Sequence, residues 1–181
     1  MKIPDGHQEG EDVPLRSDWS EDLCPIRRSL DVLGDGWVLL IVRDVLQGYG
    51  RFDQLRRSLG ISEAVLSRRL HAMIEAGLLE RADYDSGGRT RQGYVATPAA
   101  AELLPILQQL AVWGERHTTM PAGGAHMELI HDACGNETTQ GQVCSACGEV
   151  LQPQDMSWGK TWRNVRTPLV APGELARTPA D

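Results

Sequence analysis

The chain has 181 residues, 41% hydrophobic and 24% charged, enough for one good core plus a small satellite and typical of a globular protein. No apolar run approaches the ~20 residues a membrane span requires, and the acidic start MKIPDGHQEGEDVP has no apolar signal region, so a cytoplasmic protein with no membrane partner is expected. A net charge of -7 disfavours nucleic acid as a whole-chain average, but residues 1–23 carry -5, residues 118–181 carry -3, and residues 24–117 carry +1 with twelve arginines and no lysine.

Residues 1–23 read as a flexible leader, with little to bury and an excess of like charge. Pro25 suits a helix's first turn, where its missing amide costs nothing, and that helix should stop near Gly34-Asp35-Gly36. The run Trp37 to Leu46 is apolar almost all round; its length and the internal Arg43-Asp44 favour a buried central helix over a strand. Gly48-Tyr49-Gly50 breaks it.

The stretch RFDQLRRSLGISEAVLSRRLHAMIEAGLLER, residues 51–81, organises the rest. Two short amphipathic helices meet at Leu59-Gly60-Ile61-Ser62, where Gly60 can take the left-handed conformation that ends one helix and Ser62 can cap the next. At 100° per residue Leu66, Leu70, Met73 and Ile74 share one stripe with Val65 at its edge, while Arg68 points the other way beside Ala64 and His71, with Ser67 on a flank. A helix apolar on one side and small, polar or basic on the other suits a DNA major groove. An ordinary solvated outer face carries the same signature; the residues downstream of Gly77 favour DNA.

Two short strands around Asp85-Ser86-Gly87-Gly88 form a predicted β-hairpin with Arg89 and Arg91 at and just after its tip. A helix-turn-helix joined at once to such a hairpin is a winged helix, in which the hairpin lies along the DNA backbone or minor groove. Ser62, Ala64, Ser67, Arg68 and His71 are the candidates for base or groove contact. Arg51, Arg56, Arg57 and Arg69 are candidates for phosphate contact or helix bracing, and Arg89 and Arg91 for the wing. Thr97-Pro98 opens a last long helix to about His117, kinked at Pro105, whose apolar surface is wider than one side requires and fits pairing with a second copy as well as core packing.

Residues 126–151 change character. His131-Asp132-Ala133-Cys134-Gly135 and Cys144-Ser145-Ala146-Cys147-Gly148 are near-copies, each with two ligands three residues apart and a glycine that permits the turn to close. The spacing H-x2-C-x9-C-x2-C supplies four tetrahedral ligands with no open position, so the expected cofactor is a structural zinc ion held by His131, Cys134, Cys144 and Cys147 in a zinc-ribbon-like unit. His126 is an alternative fourth ligand, and a disulfide with an odd thiol is disfavoured in a reducing compartment. The expected fold is thus mainly α with small β: a leader (1–23), a winged helix-turn-helix DNA-binding and dimerisation domain (24–118), the zinc-ribbon-like unit (126–152) and a partly mobile tail (153–181) in which Trp158 to Arg163 packs on the domain.

Residues 24–117 resemble the HxlR-type winged helix-turn-helix regulators. The resemblance rests on Cys24-Pro25, Gly36-Trp37, Gly48 through Arg51-Phe52, Leu55, the run Leu66-Ser67-Arg68-Arg69-Leu70, Gly77-Leu78, Arg81, Tyr94, Thr97-Pro98 and Trp113. It implies a homodimer paired through terminal helices, with each recognition helix in a major groove of a palindromic double-stranded operator. It also implies that Cys24, which some members match with an oxidant-sensing cysteine, is a possible redox sensor, with Arg27 and Arg28 nearby to favour a thiolate. The sequence departs from the pattern at the wing tip, Ser86-Gly87-Gly88, at Gly93 before the tyrosine, and at Ala100. A winged helix serving as a protein-docking module is the other reading, an enzyme has no glycine-rich phosphate loop or matched nucleophile and base to support it, and no pattern identifies a small-molecule effector.

Overall fold

The computed structural model describes residues 18–120, 126–139 and 143–175, so most of the expected leader lies outside the described residues. The chain forms two compact units that meet in sequence at Asp35 and Gly36. The first contains helix α1 (Pro25–Leu33), with Pro25 in its first turn and no buried residue.

The second unit is built on α2 (Gly36–Leu46), whose Ile41, Val42, Val45 and Leu46 are fully buried. Against α2 pack α3 (Phe52–Leu59) and α4 (Glu63–Glu75), which contribute Leu55, Leu66, Leu70 and Met73 to the core. Strands β1 (Leu79–Asp85) and β2 (Thr90–Ala96) pair antiparallel, Leu79 with Ala96 through Asp85 with Thr90, as the expected wing hairpin. The amide of Tyr94 also donates to the carbonyl of Gly50 (2.8 Å), so the α2–α3 connection borders β2. Any side chain at Gly50 would collide with the Tyr94 carbonyl and with Leu175, and a Cβ at Gly93 would sit 3.0 Å from the Gly50 carbonyl oxygen. Close backbone approach therefore explains Gly93, the residue that departs from the family pattern.

The expected single kinked helix from Ala99 to His117 is two helices, α5 (Pro98–Ala101) and α6 (Leu104–His117). Pro105 cannot donate to the carbonyl four residues back and its ring crowds that carbonyl, so the chain turns at Glu102-Leu103 and restarts with Pro105 in the new first turn.

The ribbon-like unit does not stop at residue 152. Strand β3 (Met127–His131) pairs antiparallel with β4 (Met156–Lys160), and β4 with β5 (Val165–Pro168), in a sheet ordered β3-β4-β5. The central strand is buried on both faces from Met156 to Gly159, and Trp158 is buried as expected for a packing residue while Trp162 is half exposed. What reads as a tail in the sequence is thus two strands and a strap. Leu169 is buried, the Val170 amide donates to the Leu46 carbonyl (2.9 Å) and the Gly173 amide to the Ala96 carbonyl (2.9 Å), and Leu175 covers Gly50 and Gly93. Lys160 of β4 donates to Gln47 just after α2, a second tie between the sheet and the winged helix.

Candidate nucleic-acid interface and metal centre

The turn between α3 and α4 forms as its residue types dictate. Gly60 ends α3 in the left-handed region at φ 67°, and Ser62 caps α4 by accepting from the Val65 amide (3.4 Å). With Leu66, Leu70 and Met73 buried, the opposite side of α4 carries Ser62, Ala64, Ser67, Arg68 and His71, all exposed; Arg69 is half-buried on the flank. Arg68 has no hydrogen-bond or ion-pair partner among the described residues, whereas His71 Nε2 lies 3.3 Å from Glu75 one turn on.

The other arginines divide in a way the sequence does not show. Arg56 pairs with Glu63 across the turn (2.9 Å) and so braces the helix pair, whereas Arg57 donates to the Asp53 carbonyl (3.2 Å) within α3 itself. Arg51 stacks on the wing: its guanidinium lies 4.5 Å from the centre of the Tyr84 ring. Tyr84 is a site residue that sequence reasoning missed, its only signal being an aromatic in the predicted wing strand, directly opposite Arg91 in the register. At the tip, Gly87 and Gly88 both have positive φ, 65° and 79°, and Asp85 accepts from the Gly88 amide (2.8 Å). This turn holds Arg89 and Arg91 exposed, and neither has a partner among the described residues.

In the N-terminal unit Cys24 is half-buried at the start of α1, and its amide donates to Asp22 (2.8 Å). The two arginines expected to favour its thiolate are engaged elsewhere: Arg27 pairs with Asp22 (2.8 Å) and Arg28 donates to the carbonyls of Asp22 and Leu23.

The four expected metal ligands converge. One ligand atom from each of His131, Cys134, Cys144 and Cys147 lies within 4.8 Å of all the others. The two knuckles are built alike. Gly135 and Gly148 both have positive φ (70° and 79°), the Gly135 amide donates to the His131 carbonyl (2.8 Å) and the Gly148 amide to the Cys144 carbonyl (2.9 Å). The Ala146 amide points at Cys144 Sγ (3.4 Å). Thr138 and Ser145 clip the knuckles together, Ser145 amide to Thr138 Oγ1 and Thr139 amide to Ser145 Oγ, each 3.0 Å. Cys134 Sγ and Cys144 Sγ are 3.8 Å apart, and Cys147 Sγ is 3.3 Å from His131 Nδ1. A sulfur–sulfur spacing of about 3.8 Å is the edge of a tetrahedron of thiolates ~2.3 Å from a zinc ion, and is far beyond the ~2.05 Å of a disulfide.

The surroundings of Cys134 and Cys144 suit deprotonated sulfur. At Cys144 burial raises the thiol, but the amides of Cys147 and Ala146 and side-chain bonds from Thr138 and Cys147 outweigh it and bring it down to about 6. The Asn136 amide is the largest influence holding the Cys134 thiol low. At Cys147 the Glu149 amide lowers the thiol, but burial and the crowding thiols of Cys144 and Cys134 leave it raised. His131 presents Nδ1 to the cysteines while Nε2 faces the Glu149 carboxylate at 3.8 Å, the outer partner that fixes a ligating imidazole. His126, the alternative ligand, is instead held between Glu115 (2.8 Å, Nδ1) and Glu137 (3.2 Å, Nε2). The cluster could hold a metal ion with no coordination position left open.

No helix among the described residues is long and apolar enough to cross a membrane. Residues 32–121 match the family model of HxlR-like helix-turn-helix proteins. The chain is 36% identical over 152 residues to Rv3095 of Mycobacterium tuberculosis, an uncharacterized HTH-type transcriptional regulator, covering 84% of this chain and 89% of that one. It is 33% identical over 94 residues to YvaP of Bacillus subtilis, also an uncharacterized HTH-type transcriptional regulator, covering 51% of this chain and 86% of that one. The crystal structure of PA1607, a candidate transcription factor, superposes with a TM-score of 0.61 at 33% identity over 77% of this chain and 96% of its own. With its recognition-type helix, wing and connecting turn in the expected places, the chain belongs to the HxlR-like helix-turn-helix family of transcriptional regulators.

Proposed function

We propose that this regulator binds a palindromic operator as a homodimer, inserting α4 into the major groove and laying the β1–β2 wing on the neighbouring backbone, with a structural zinc ion holding the C-terminal ribbon. The observation that carries this reading is the division of α4 into a buried Leu66-Leu70-Met73 side and an exposed Ala64-Ser67-Arg68-His71 side, with Arg68 unpartnered among the described residues. Ser62 serves first as a helix cap, with its amide end available to phosphate. Arg69, on the flank of α4, and Arg51, on the wing tyrosine, position this surface and border the backbone path. Arg89 and Arg91 supply positive charge at the wing.

Two apolar stripes support the dimer. Ile106, Leu110 and Trp113 lie at i, i+4 and i+7 along α6 and stay 46%, 47% and 59% exposed; Leu23, Ile26 and Leu30 form a second exposed stripe at α1. The zinc reading rests on the convergent donor set and its tetrahedral spacing.

Selection of bound genomic fragments, with anisotropy titrations against selected and scrambled duplexes, tests the assignment. Arg68→Ala should cost roughly 1–3 kcal/mol on the selected duplex and flatten the preference for it, whereas Arg89→Ala should weaken both duplexes similarly and lower the salt slope. Equal losses on both duplexes for Arg68→Ala would remove α4 from base reading. Analytical ultracentrifugation of wild type and Trp113→Asp reads the dimer directly.

A further inference from the structure

The four donors of the metal cluster differ in what can reach them. His131 and Cys144 are buried, each 2% exposed, and Cys134 is half-buried, whereas Cys147 is exposed. Burial keeps a structural thiolate away from reagents in solution, and Cys147 lacks that cover. Its sulfur also has a neighbour placed to complete a reaction begun there. The ligand atoms of the cluster all lie within 4.8 Å of one another, and Cys144 precedes Cys147 by three residues on the same turn, which Gly148 ends at positive φ. An accessible thiolate beside a second thiol is the arrangement that passes from sulfenic acid to disulfide instead of climbing to irreversible oxides. Cys24, the chain's remaining cysteine, is half-buried and its sulfur has no partner among the described residues.

What the cluster holds together extends to the winged helix. Strand β3 ends on His131 and pairs with β4, and the chain runs on through β5 into the strap. There the amides of Val170 and Gly173 donate to the carbonyls of Leu46 and Ala96 (2.9 Å each), and Leu175 lies over Gly50 and Gly93. Gly50 adjoins Arg51, whose guanidinium stacks on Tyr84 of the wing. The strap therefore grips the root of the wing from a sheet that the cluster closes.

We propose that the cluster is an oxidant switch, in which a hydroperoxide is met by Cys147 and Cys144 closes the disulfide. The inference rests on the zinc reading, because coordination keeps a thiol deprotonated. The Cys147 thiolate attacks a peroxide oxygen: the S–O bond forms, the O–O bond breaks, and the hydroxide that leaves takes a proton from solvent. The sulfur is oxidised by two electrons and the peroxide is reduced. The Cys144 thiolate then attacks Cys147 Sγ, forming the S–S bond and expelling a second hydroxide. His131 and Cys134 alone are too few donors for a tetrahedral site, so the pairing of β3 with β4 loosens and the strap loses its hold. A dithiol reductant reverses the change.

The test uses the full-length protein, with its zinc counted before oxidant is added. Hydrogen peroxide should then release the zinc, and peptide mass mapping should find the Cys144–Cys147 disulfide with Cys24 and Cys134 still free. Dimedone present during the reaction should mark Cys147. Hydrogen exchange of the peptide over residues 169–175 should rise with zinc release and return once dithiothreitol and zinc are supplied. Cys147→His keeps a fourth ligand without an oxidisable sulfur, so it should hold zinc and lose it to peroxide about tenfold more slowly. Cys24→Ser should match the wild type. Thiols that all stay free in peroxide would overturn the proposal, as would first oxidation at any cysteine but Cys147. So would a metal-loaded Cys147→His as sensitive as the wild type, or a strap whose exchange is unchanged once the disulfide has formed. If Cys147→His holds no zinc, the wild-type mapping decides alone. A purified protein without metal refutes the zinc reading, and the same mapping on it still decides whether Cys147 is oxidised first.

Discussion

The guanidinium of Arg51 lies 4.5 Å over the ring of Tyr84, joining the first residue before α3 to the far end of wing strand β1. Both residues are half-buried, so the contact fixes the angle of the wing to the helix pair. A cation–π pair at such a site contributes about 0.5–1 kcal/mol. A double-mutant cycle of Arg51→Ala and Tyr84→Leu in urea should return a coupling of that size, and strictly additive losses would dissolve the pair.

Metal removal gives the second prediction. One zinc ion per chain should be released by a chelator only together with a thiol reagent, and the loss should unfold the β3–β5 sheet while leaving the helices in place. Trp158 fluorescence should move to longer wavelength while far-ultraviolet helix signal is largely kept. Cys144→Ser should do the same without chelator. Full stability of the metal-free protein, with all four thiols free and Trp158 still buried, would contradict a structural ion.

Gly50 carries the third. Alanine there would drive a methyl into the Tyr94 carbonyl and Leu175, and the backbone atom cannot yield. Overpacking of this kind costs typically 1–3 kcal/mol. Gly36→Ala is the control, since a methyl there meets nothing within 4 Å. Thermal melts showing the two variants alike would mean that the Gly50–Tyr94 approach is looser than described.

The fourth concerns pH. His126 is raised above its ordinary value, first by its bond to Glu115 and also by Glu137, with burial opposing. A histidine raised by folding stabilises the folded state fully below its unfolded value, about 6.5, and the contribution fades as pH climbs through the higher folded value. His126→Gln should therefore destabilise most on the acid side of neutrality and least in alkali. Half of the side chain faces solvent, which keeps the effect modest and salt-sensitive. A difference between the two proteins that grows with pH would reverse the sign and exclude the clamp.

What the sequence reveals of this molecule is what is local. Gly60 and Ser62 decide a turn among their immediate neighbours, and each knuckle places two ligands three residues apart, so the helix pair and the metal set are legible without coordinates. The wing is legible for the same reason. What stays hidden depends on partners distant in the chain. Residues 156–160 look like a tail because their first β partner is 127–131, and Gly93 looks like a departure because the surface it must fit is Gly50. Pro105 signals an interruption, but whether it bends a helix or starts another depends on how Glu102 and Leu103 turn. The roles of Arg51 and Arg56 separate only when Tyr84 and Glu63 are in place.

Strand β3 ends on His131, and the other three ligands come before β4 begins, so the whole donor set lies on the loop that pairing of these strands must close. An ion gathering those four donors shortens the free span and lowers the chain entropy lost when β4 finds β3. On the proposed zinc reading, ordering of the C-terminal third of the protein is timed by the supply of metal in the cell rather than by the speed of chain collapse.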